Sequence, residues 1–121
     1  MKIMIPVQSN NGLDSRLFAH FGRAPGYLFI DVNGDKISSM TFLERDENER
    51  GIDIIFKNKP DIVITYYIGS RAFYQLKNMG IKIYKADKFI VRDLINEYFN
   101  KKLKELLEPE EDPKELHIHE R

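Results

Sequence analysis

With 121 residues, 42% of them hydrophobic, the chain can build one core and has little length for a second domain. Nineteen basic residues balance 19 acidic ones, a formal net charge of +0, which argues against any general electrostatic draw to nucleic acid or an anionic membrane. Cysteine is absent, so disulfides and metal centres held by protein thiolates are excluded.

The run at residues 2–7 (KIMIPV) is apolar and leads into Gln-Ser-Asn-Asn, which predicts a buried strand. It is too short for a signal peptide, and no later apolar run approaches a membrane span, so a cytoplasmic protein is expected. Residues 12–26 (GLDSRLFAHFGRAPG) form a connection too long for a simple turn. Structured loops of this length in small domains are usually functional. Here Arg16 and Arg23 flank His20, which points to an anionic or metal-bearing ligand.

Residues 27–32 (YLFIDV) read as a second strand, Asn33-Gly34-Asp35 as a hairpin turn and residues 36–43 (KISSMTFL) as a half-exposed third strand. The charged stretch at 44–50 (ERDENER) is expected to be a mobile linker into a helix with Ile52, Ile55 and Phe56 on its apolar stripe, stopped by Pro60. Residues 61–65 (DIVIT) predict a buried fourth strand. Ser70 is the expected cap of a second helix, with Gly80 at its C-terminal turn. A fifth strand follows at 81–84. Asp87 is then expected to cap one long helix carrying apolar residues from Ile90 to Leu107, ended by Pro109. Residues 1–108 thus read as a single α/β domain and 109–121 as a charged tail.

The hairpin makes strands two and three antiparallel, and right-handed crossovers place strands four and five on the far side of strand one. The expected architecture is a three-layer αβα domain with a five-stranded mixed sheet, order 3-2-1-4-5. The carboxyl ends of strands one and four then form a topological switch point, where open α/β sheets leave a ligand crevice. The loop at 12–26 and the segment Tyr66-Tyr67-Ile68-Gly69-Ser70-Arg71 should meet there. Arg16, His20, Arg23, Arg71 and the free N–H groups of a helix N-terminus would favour an anion.

Two blocks at these segments, His20-Phe21-Gly22-Arg23-Ala24-Pro25 and Ile68-Gly69-Ser70-Arg71-Ala72-Phe73, resemble the dinitrogenase iron–molybdenum cofactor family, which includes NifX, NafY and the C-terminal part of NifB. The resemblance spans roughly residues 1–100. It implies a ribonuclease-H-like fold and a carrier for an iron–molybdenum cofactor or iron–sulfur cluster precursor. On that reading His20 is the candidate metal ligand and Arg23 contacts the anionic metallocluster or its organic acid. Gly69, Ser70 and Arg71 line the opposite wall, and other cofactor-assembly proteins are the implied partners. Two departures stand out. Tyr66 and Tyr67 occupy a place where relatives carry small residues, and the acidic stretch 44–50 replaces a Gly/His-rich loop.

Each residue also has a structural reading. His20 could bond a backbone carbonyl, and Arg23 could clamp the loop. Gly22 and Gly69 could serve backbone conformation, and the tyrosines could roof the crevice. Leu103 to Leu107 could form a homodimer contact, leaving otherwise a monomer. His117 and His119, two residues apart, could chelate a metal or belong to a solvated tail. Three functions compete: a non-enzymatic metallocluster carrier, a small-anion or nucleotide-binding regulatory module, and a ribonuclease-H-like nuclease. The nuclease is disfavoured because strand one offers no acid, and because Asp31 and Asp61 sit at opposite ends of their strands.

Overall fold

The first strand has both faces covered. Ile3, Met4, Ile5 and Val7 are completely buried, because the strand runs through the middle of the sheet. In the computed structural model, which describes residues 1–111, the strands are β1 (Lys2–Val7), β2 (Gly26–Asn33), β3 (Lys36–Glu44), β4 (Ile62–Thr65), β5 (Lys82–Lys85) and β6 (Lys104–Glu105). The helices are α1 (Gly51–Asn58), α2 (Ser70–Asn78) and α3 (Val91–Phe99). The sheet order is β3-β2-β1-β4-β5-β6, with β1, β4 and β5 parallel and β2 antiparallel to β1. This is the expected ribonuclease-H-like αβα arrangement with one strand more than expected.

Strand alternation divides the core in two. Met4, Phe29, Val63 and Ile83 pack with Ile52, Ile55, Phe73 and Leu76 of α1 and α2 on one face. Ile3, Ile5, Leu28, Ile30 and Ile64 pack with Val91, Leu94 and Ile95 of α3 on the other. The β2–β3 hairpin turns through Gly34 and Asp35; Gly34 takes φ +65° while Asn33 stays in the strand, as in a type II′ connection. No helix among the described residues is long and apolar enough to cross a membrane.

Five expectations are corrected. α3 spans only Val91–Phe99 and starts after Ile90, not at Asp87. It ends where Lys101 adopts φ 58°, and the chain then returns as β6 against β5. Leu103 and Leu106 are spent on the two faces of the core, leaving Leu107 exposed in place of a helical dimer stripe. In α1, Ile54 is buried and Phe56 is exposed, and Lys59 in the left-handed region closes the helix before Pro60. Gly69, not Ser70, is the N-cap of α2, while Gly80 closes it with φ +78° as expected. The stretch 44–50 is held by hydrogen bonds. Arg45 Nε–H donates to the Ala24 carbonyl (2.6 Å), and the Arg45 amide donates to the Pro25 carbonyl (2.8 Å). His117 and His119 lie outside the described residues.

Candidate functional site

The loop after β1 divides into two halves that go to different places. Its first half turns at Gly12 (φ +57°) through a 3-10 turn, Gly12–Asp14, and packs toward the entry of α3. There the Val91 amide donates to the Ser15 carbonyl (3.0 Å), and the Leu17 amide donates to the Phe89 carbonyl (2.8 Å). Arg16 bridges to Ile90 in this half and is exposed outside the cleft described below, contrary to expectation.

The second half reaches the end of β4. The Tyr67 amide donates to the Ala19 carbonyl and the Phe21 amide to the Tyr67 carbonyl, both at 2.9 Å, so His20 lies parallel to Tyr67. Their rings meet edge-on, 5.4 Å apart, and His20 is only 6% exposed. A second 3-10 turn, Phe21–Arg23, follows. It is seated from below by Tyr27, whose hydroxyl donates to the Phe21 carbonyl. Burial pushes the Tyr27 phenol far above its usual range, although the nearby Arg45 charge acts in the opposite direction.

Between this turn and the amino ends of α1 and α2 lies a cleft of about 500 Å³. His20, Arg23, Gly69 and Arg71 all line it, and Phe21, Ile52 and Ile68 supply apolar surface. Of the predicted residues, His20, Gly22, Arg23, Gly69 and Arg71 line the cleft; Arg16 and Ser70 do not. Sequence reasoning missed Arg50, Gly51 and Ile52. The topology carried the signal for them. β3 runs parallel to β1 in the sheet, so its carboxyl end delivers the start of α1 to the same edge.

Three arginines, Arg23, Arg50 and Arg71, therefore share one cleft, and no acidic side chain lines it among the described residues. Two nearby carboxylates are engaged, one by Lys57 and one by the cleft-lining Arg50 itself. The Glu49 carboxylate takes a hydrogen bond from Lys57 Nζ (2.9 Å), which holds it below its usual range. The guanidinium and backbone N–H of Arg50 do the same for Asp53. The first turns of α1 and α2 add backbone N–H groups without helical acceptors and the positive ends of two dipoles.

Gly22 and Gly69 have no positive φ, and a Cβ on either would meet nothing within 4 Å. The backbone does not require glycine there, contrary to one reading of the sequence. Gly51 does lack room, since a Cβ would come 2.9 Å from both Phe21 Cε2 and Tyr27 Oη. Tyr67 forms part of the wall and leaves the cleft open beside it. Tyr66 turns away; its ring contacts Phe89 at 5.7 Å, and Lys85 Nζ lies 3.8 Å from its centroid.

Comparison with known proteins places this arrangement. The protein MJ0580 of Methanocaldococcus jannaschii is 26% identical over 110 residues, covering 85% of this chain and 89% of its own. The crystal structure of PH0822 superposes with a TM-score of 0.76 at 27% identity, covering 88% of this chain and 96% of that one. The apo form of the orange protein from Desulfovibrio gigas has the same fold, with a TM-score of 0.77 at 21% identity over 91% of this chain and 96% of that one. The sequence profile described as dinitrogenase iron-molybdenum cofactor matches residues 1–101. The chain belongs to the dinitrogenase iron-molybdenum cofactor family.

Proposed function

We propose that the protein is a non-enzymatic binding or carrier protein for an anionic metallocluster, an iron–sulfur or iron–molybdenum cofactor or its precursor. The observation that carries this reading is the cleft with three arginines, one imidazole and no acidic wall. Arginine presents a weakly hydrated, permanently charged fork that suits a large, diffuse anion. His20 supplies one ligand of a type that binds iron or molybdenum-cluster metals. No group of three or more His, Cys, Asp or Glu side chains suited to a metal ion occurs among the described residues. The cleft therefore suits a cargo that brings most of its own ligands. Membership of a family described by the dinitrogenase iron-molybdenum cofactor supports a cofactor-binding role.

The test is anaerobic mixing with a cluster donor, followed by gel filtration, visible absorbance and metal analysis. The expected result is coloured, metal-bearing protein, with binding lost in His20→Ala. A colourless, metal-free protein would overturn the reading.

A second reading, a small-anion or nucleotide-binding module, is favoured by the two helix amino ends at the cleft. Thermal-shift titration with phosphate, nucleotides and organic acids separates the two. A phosphate held by arginines and amides would survive His20→Ala. The nuclease reading finds less support. Asp31 and Asp61 do sit at opposite ends of their strands, Asp31 near the close of β2 and Asp61 just before β4. Both flank Lys2, because β2 runs antiparallel; Asp31 pairs with Lys2 in register, and the Lys2 amide donates to Asp61 Oδ2 (2.8 Å). They lie at the other end of β1 from the cleft.

A further inference from the structure

We propose that Arg45 is a positioning residue for the anion cleft, spacing the backbone segments that carry Arg23 and Arg50; this rests on the binding reading above. Arg45 is not among the cleft-lining residues. Its guanidinium instead collects carbonyl oxygens from both sides. Nε–H donates to Ala24 (2.6 Å) and Nη2–H reaches Arg23 (3.5 Å) on the His20 turn. Nη1–H donates to Glu49 (2.8 Å) and reaches Asp46 (3.4 Å) on the approach to α1. The Arg45 amide adds a bond to the Pro25 carbonyl (2.8 Å).

Two of these acceptors have informative neighbours. Ala24 directly follows Arg23, and Glu49 directly precedes Arg50. One planar fork thus ties together two of the three chain segments that bear cleft cations. The fork has a fixed geometry and cannot be deprotonated, which suits it to holding a gap at constant width. It has a second effect. The Arg23, Ala24 and Glu49 carbonyls are partial negative charges near an anion site, and Arg45 engages all three. A lysine would keep the charge but is a flexible point donor that cannot span both segments at once. The stretch that reads in sequence as an acidic linker is therefore organised around its one inward-turned cation.

The experiment compares Arg45→Lys and Arg45→Gln with the unaltered protein, using tetrathiomolybdate as a coloured anionic probe. Visible absorbance reads binding, and ligand-free ¹H–¹⁵N spectra read geometry. Both variants should bind at least about tenfold more weakly, the lysine failing to restore affinity despite its charge. In the free proteins the amide resonances of Arg23, Ala24 and Arg50 should move, while those of Ser70 to Ala72 in α2 stay in place. Arg45→Lys binding as tightly as the unaltered protein would overturn the positioning role and reduce Arg45 to a charge. Unmoved Arg23 and Arg50 amides would also overturn it. If the unaltered protein fails to bind the probe while the amides move as expected, the binding reading falls and the structural spacing by Arg45 stands.

Discussion

Adding a single methyl group at Gly51 tests how the cleft is supported. Gly51 is the first residue of α1 and is buried against the His20 turn. A Cβ there would come 2.9 Å from Phe21 Cε2 and from Tyr27 Oη, and 3.2 Å from Phe21 Cδ2. Phe21 is 1% exposed and Tyr27 fully buried, so neither ring has free volume to enter. Overpacking of this kind costs about 1–3 kcal/mol. Replacing glycine by alanine in a helix returns about 0.5–1 kcal/mol, less in the first turn. With a return of about 0.5 kcal/mol in the first turn, the net expectation for Gly51→Ala is a loss of about 0.5–2.5 kcal/mol. At ~2.1 cal/mol/K per residue over 121 residues, that lowers Tm by roughly 2–10 °C. Gly22→Ala and Gly69→Ser are the controls. Both new side chains enter open space, so stability should hold or rise by up to about 1 kcal/mol. Thermal unfolding by circular dichroism reads all three. A Gly51→Ala protein melting with the unaltered one, or a Gly22→Ala protein falling as far, would refute the packing argument.

Tyr27→Phe removes the hydroxyl that seats the turn on the Phe21 carbonyl and should cost about 0.5–1.5 kcal/mol in urea unfolding. The folded-state Tyr27 pKa lies above its unfolded value of about 10, so its contribution is fully present below pH 10 and declines as pH rises from there. The alkaline loss of stability should accordingly be shallower in Tyr27→Phe. Asp53 is held below its ordinary value of 3.8, so its contribution is present above that pH and lost as pH falls through the folded value. Asp53→Asn should flatten the acid limb of a stability–pH profile. Leu106→Ala should destabilise by about 2–5 kcal/mol, since Leu106 closes the α1–α2 core rather than standing in a solvent-facing helix. Arg71→Gln should weaken tetrathiomolybdate binding and lower its dependence on salt, measured by titration at two ionic strengths.

The sequence by itself determined the strand order around β1, the crevice at the ends of β1 and β4, and the pairing of the two motif blocks there. Those features follow from short-range signals: apolar runs, a hairpin turn and the handedness of crossovers. Only the tertiary structure decided which period the C-terminal leucines obey. Leu103 and Leu106 share a face in a helix but take opposite faces in an extended chain, and the vacant edge of β5 selected the extended form. It also decided that Arg50 joins the cleft while Arg16 leaves it, and that Arg45 turns inward. Where a loop cation points depends on which distant carbonyls it meets, and local sequence holds no record of them.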